Sequence, residues 1–157
     1  FSIGKSIDSG DLVLDPNKNN HICGKWINKG YVGHCHARSA VPNNPKNIWQ
    51  HHSSLEELVS LHPKNTIGRG IQYPFIRPKK GQWHSDWQES KLEPWKEVIR
   101  QLMIFHQNNN ESFLRTISTE FIPFPDYGGG AKYSIFENSI ACAEWLRKTW
   151  DGISNIE

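Results

Sequence analysis

The chain has 157 residues, 36% of them hydrophobic, with 18 basic and 16 acidic side chains and a net charge of +2 when histidine is neutral. That length suits one domain with a real core and is short for two, while the near-neutral balance offers phosphate backbones little attraction and argues against a nucleic-acid partner. No apolar run approaches the roughly 20 residues that cross a bilayer, so no membrane partner is expected.

In chain order, Asp11-Leu12-Val13-Leu14-Asp15-Pro16 holds a short strand candidate that a Pro-Asn-Lys-Asn-Asn turn ends. Ile22 to Ile27 and an Asn28-Lys29-Gly30 turn lead into a predicted strand, Tyr31 to His36. From Ser39 the chain is polar and rich in Pro and Asn, broken by a predicted helix from Leu55 to Leu61. Ser53 and Glu56 form a capping box for that helix, and His62-Pro63 stops it. Residues 63 to 90 read as irregular, with glycines and prolines interleaved with Tyr73, Phe75, Trp83 and Trp87. The whole stretch 39–90 is therefore expected to be a long loop between a strand and its helix, of the kind that forms lids or binding loops.

After Pro94 the apolar positions Trp95, Val98, Ile99, Leu102 and Phe105 recur with helical period. A β-like run from Leu114 to Phe121 follows, then a Pro- and Gly-rich loop. Ile135, Phe136, Ile140, Ala143, Leu146 and Trp150 trace a last amphipathic helix, and the Trp and Phe stripes of both helices are expected in the core.

Strand, long loop, helix, strand, loop, helix is the order of an alternating α/β architecture, with right-handed crossovers between parallel strands. Two or three strands are too few for a parallel sheet covered on both faces, so an incomplete unit is expected. The first residue, Phe1, is not methionine, which is read as processing or as the later part of a longer chain. Cys23, Cys35 and Cys142 are odd in number and lack Cys-x-x-Cys spacing, which suggests a reducing cytoplasm.

In Gly33-His34-Cys35-His36-Ala37-Arg38, a strand repeat of two places His34, His36 and Arg38 on one face. Such side chains are costly to bury unless they bind a metal, pair with a charge or line a polar pocket. In parallel α/β architectures the C-terminal strand ends face the catalytic mouth, and His36 and Glu120 both stand at such ends. An imidazole and a carboxylate from neighbouring strands can hold Mn²⁺, Mg²⁺, Co²⁺ or Zn²⁺. The competing reading of Glu120 is an ion pair with Arg38 or Arg115, and His34 suits a hydrogen-bonded core histidine. His51, His52 and His62 read as solvated loop histidines, and Lys79-Lys80 as a solvated turn. His84, between Trp83 and Trp87, can reach a polyol stacked on the indoles; the alternative is a loop plug.

Gly33 to Arg38, Gly70-Ile71-Gln72-Tyr73-Pro74, and Thr119-Glu120-Phe121-Ile122-Pro123 with Tyr127 together resemble the C-terminal part of the xylose isomerase-like TIM-barrel superfamily, the sugar phosphate isomerase/epimerase group. The resemblance implies that residues 1–157 are one partial (β/α)₈ barrel containing the last two to three βα units. It implies a divalent metal held by His36, Glu120 and Asp15, with His21 as a companion of Asp15. Arg38, Gln72, Trp83, His84 and His21 would then bind a sugar or sugar phosphate, and Glu120 would transfer protons through a cis-enediolate. The barrel's fifth-strand glutamate has no counterpart here, and the spacing between Asp15 and His21 departs from the family pattern. Self-association into a homo-oligomer is compatible with this reading. Two alternatives stand beside it: a non-catalytic remnant that binds a carbohydrate or a partner through Trp83, Trp87 and Tyr127, and, less favoured by the charge, an endonuclease IV-like metal-dependent hydrolase.

Overall fold

A computed structural model describes residues 13, 15–43, 68–83, 86–109, 116–123 and 132–154. The first element among the described residues is a helix, α1 (Ile22–Asn28), where the sequence showed no clear helical signal. Its N-cap is His21, whose Nδ1 accepts the Gly24 N–H at 3.0 Å; the usual Ser, Thr, Asp or Asn cap is absent, which hid the helix start. Its end is a Schellman turn, with Gly30 at φ 69°, Gly30 N–H bonded to Ile27 O and Tyr31 N–H to Trp26 O. Of the strand expected over 11–14, only Val13 is described, and its carbonyl accepts the Ile22 N–H at 2.9 Å.

Strand β1 (His34–Ala37) begins three residues later than the sequence suggested. The long loop expected over 39–90 is not structureless: β2 (Ala40–Asn43) pairs antiparallel with β3 (Gly68–Gln72). The ladder shifts register between Val41 and Asn43, where Pro42 has no N–H to donate. Buried Ser39 extends the pairing, its carbonyl accepting the Tyr73 N–H and its hydroxyl donating to Tyr73 O at 2.6 Å. The helix expected from Leu55 to Leu61 lies outside the described residues.

A 3₁₀ turn (Glu89–Leu92) runs into α2 (Glu93–Gln107), with Pro94 in its first turn. Ile99, Leu102 and Met103 are buried, whereas Trp95, Val98 and Phe105 are half-buried. Buried Lys96 keeps its charge compensated by Glu93 at 3.4 Å and Glu89 at 3.6 Å, with its ammonium over the Phe75 and Trp145 rings. Strand β4 (Thr116–Thr119) pairs parallel with β1, opposing His34 to Thr116, Cys35 to Ile117, His36 to Ser118 and Ala37 to Thr119. The chain closes with α3 (Ile135–Ser154). Its inner face is Asn138, Cys142 and Leu146, so the expected stripe is met at Leu146 and at Ile135, which packs against the core, but not at Phe136, 72% exposed, Ile140, 44%, or Trp150, 37%.

The described residues are thus mixed helix and strand, with a two-stranded parallel sheet and a two-stranded antiparallel excursion among them. Ala37, Ile99, Met103, Phe121, Cys142 and Leu146 build one apolar cluster around the parallel pair. Among the described residues no helix is long and apolar enough to cross a membrane.

Candidate functional site

The parallel register sets the site. His34 and His36 share the exposed face of β1, their rings 4.7 Å apart and edge to face, while Ala37 on the other face is buried. One residue beyond β4, the Glu120 N–H bonds to Ala37 O at 3.3 Å and prolongs the ladder. This brings the Glu120 carboxylate beside the imidazole, with His36 Nδ1 2.9 Å from Glu120 Oε2. Arg38 Nη1 stands 3.8 Å from the same oxygen. The His36 and Glu120 side chains are 55% and 41% exposed, so the pair opens to solvent.

An ionised carboxylate oxygen can only accept, so His36 Nδ1 donates the proton of this bond, and in a neutral imidazole the lone pair is then on Nε2. The same separation also suits two adjacent donors of one cation, since bonds of about 2.1 Å at right angles place the donors about 3 Å apart. A proton and a divalent cation therefore compete for the gap between them. One imidazole and one carboxylate form a mixed N/O donor pair compatible with Mn²⁺, Co²⁺ or Zn²⁺. His36 Nδ1 and Arg38 Nη1 thus approach the same Glu120 oxygen.

The remaining expected ligands do not join them. Asp15 is exposed and its Oδ1 accepts the Asn17 N–H and amide, both at 3.1 Å, within its own turn. His21 is buried with both ring nitrogens engaged, Nδ1 by Gly24 and Nε2 by Gln101 Oε1 at 2.9 Å. Capping α1 thus accounts for the histidine assigned to metal or substrate. Among the described residues no three His, Cys, Asp or Glu side chains stand close enough to hold a metal.

Gln72, expected to bind substrate, is 2% exposed and fully committed. Its Oε1 accepts the Ile122 N–H at 2.7 Å, and its Nε2 donates to Ile122 O at 3.1 Å and to the Tyr133 hydroxyl at 2.7 Å. Trp83 is half-buried and stacks edge to face on Tyr73 and Tyr133, which favours the plug reading of its indole. Trp87 donates its indole N–H to Pro74 O at 2.9 Å. His84 and Tyr127 lie outside the described residues.

Tyr133 was not anticipated. Burial pushes its phenol up from 10.0 to about 12, opposed by the hydrogen bond from Gln72 and the charge of Arg38. No sequence signal marks it, since a tyrosine in a polar stretch reads as a loop residue. Burial also pushes the Cys35 thiol up to about 11, with Cys23 adding to the rise, and Cys142 to about 12, with Cys35 adding to it. These thiols are held protonated, the opposite of an activated nucleophile. A cavity of about 380 Å³ lined by Met103, Thr116, Ile117, Leu146 and Trp150 lies at the start of β4, away from the strand end that carries Glu120. No family model, curated protein or solved structure matches the chain.

Proposed function

We propose that this chain is the strand-end portion of a divalent-cation-dependent sugar or sugar-phosphate isomerase/epimerase-like protein, built as the last βα units of an α/β barrel, in which His36 and Glu120 form the surviving half of the site. The observation that carries the reading is the 2.9 Å approach of His36 and Glu120 across adjacent parallel strands. A carboxylate and an imidazole brought to one C-terminal strand mouth suit an oxygen-rich substrate. A bound cation supplies polarisation of a carbonyl and an adjacent hydroxyl, which acidifies the C–H between them.

The chain's own groups do the rest. Glu120 takes and returns the carbon-bound proton, and Arg38 steers its carboxylate and binds substrate oxygens. Without a cation, His36 orients Glu120 through Nδ1 and turns Nε2 to substrate; a cation would instead be shared by Nδ1 and the Glu120 carboxylate. With two protein donors the cation is held weakly, on the order of millimolar.

Titration with Mn²⁺, followed by thermal melting of the chain and of Glu120→Gln, tests this. A saturable rise in melting temperature in the parent that disappears in the variant supports it. A second reading is favoured by the Arg38–Glu120 contact: a cation-free polar mouth that binds a carbohydrate without turning it over. Absence of any Mn²⁺ shift, together with stabilisation by a monosaccharide in both proteins, would select that reading.

A further inference from the structure

We infer that Gln72 is the positioning residue of the site, fixing the carboxylate of Glu120 against His36 by clamping the main chain of Ile122 from the β2–β3 excursion. The inference rests on the reading of His36 and Glu120 as one site. Its basis is geometric. Past β4 the chain no longer belongs to a strand, and Glu120 is held on one side by a single 3.3 Å bond to Ala37 O. Two residues on, the Gln72 amide takes both the N–H and the C=O of Ile122, as a neighbouring strand would. The second Nε2 hydrogen goes to Tyr133, so both amide hydrogens and the oxygen of this 2% exposed side chain are engaged, and a flipped amide would set its NH₂ against the Ile122 N–H. Phe121, between the anchors, is buried in the apolar cluster.

Glu120 therefore sits in a segment pinned at Ala37, in the core and at Gln72. Loosening the last pin frees the Glu120 carboxylate to leave His36 Nδ1 while the rest of the sheet stays paired. The β2–β3 excursion thereby becomes part of the site without touching substrate.

The readout is the tautomer of His36, measured by long-range ¹H–¹⁵N correlation on the full chain at a pH where imidazoles are neutral. A carboxylate on Nδ1 holds the proton there, whereas an unconstrained imidazole favours the Nε2–H form. The parent is expected to show the Nδ1–H pattern and Glu120→Ala the released pattern. Gln72→Leu should move the signal at least half-way to the released one, and Tyr133→Phe in the same direction by less. Ser39→Ala, which removes a different buried hydrogen bond of the same excursion, should leave it unmoved.

A parent already in the Nε2–H form, or a folded Gln72→Leu that keeps the parent tautomer, overturns the inference. If Gln72→Leu does not fold, a Tyr133→Phe signal that is unmoved, or that moves no more than Ser39→Ala, overturns it. Addition of Mn²⁺ to the parent separates this from the functional reading: absent broadening of the His36 signals defeats the cation site and leaves the tautomer result standing.

Discussion

Gln72 is also a position where a single substitution should be costly to the fold. Gln72→Ala leaves the Ile122 N–H and C=O and the Tyr133 hydroxyl without their partner in a largely buried setting. Unsatisfied buried groups cost about 1–3 kcal/mol each before water or relaxation offsets them, so a loss of about 2–4 kcal/mol is expected in urea unfolding. At position 24, a Cβ would collide with the His21 imidazole, striking Nε2 and lying 2.8 Å from Cε1. Gly24→Ala should therefore displace the cap and destabilise the chain by about 1–2 kcal/mol, read as a lower melting temperature. The protonated groups set an alkaline limit. Unfolded cysteine and tyrosine release protons near 9.0 and 10.0, whereas folded Cys35, Cys142 and Tyr133 hold theirs to about 11, 12 and 12. The unfolded chain then binds fewer protons than the folded one, so stability is intact below pH 9 and falls as pH rises from there. Melting curves from pH 7 to about 11 should show this decline, and Cys35→Ala should flatten it.

Elements were legible in proportion to how much of their signal was local. Pro94 and the periodic run behind it marked α2, and the alternation at His34 to Arg38 marked β1. By contrast, α1 is short and capped by histidine, and β2 and β3 are held by partners far apart in sequence, so neither carried a pattern a window could show. The apolar face of α3 was only partly located because the helix is apolar on two sides: Ile135 and Leu146, expected in the core, do face it or its margin with Cys142, while Phe136 and Ile140 face out. Period alone cannot say which side is inward. Phe136→Lys and Ile140→Lys are therefore expected to change unfolding free energy by less than about 0.5 kcal/mol, whereas Leu146→Ala should cost about 2–4 kcal/mol. Equal losses at all three positions would reverse the assignment of faces.

At the scale of the molecule, the approach of His36 to Glu120 was legible because both are polar residues towards the C-terminal ends of strands expected to lie parallel. The other expected ligands were not, because a histidine that caps a helix and an aspartate that closes a turn look in sequence like groups reserved for chemistry. Gln72 looked like a substrate contact for the same reason: a polar side chain in an apolar stretch is as often a strut as a binder, and only its partners distinguish the two.

His36 and Glu120 are separated by 84 positions, and their contact is carried by parallel strands that no hairpin can nucleate. On a ribosome adding roughly 5–20 residues each second, the imidazole is made about 4–17 s before its carboxylate. Any nascent chain that stops short of Ile122 also lacks the segment that Gln72 grips. Arrested translation intermediates should therefore acquire the antiparallel ladder first and the strand-end pair last, so maturation of the site is timed by synthesis.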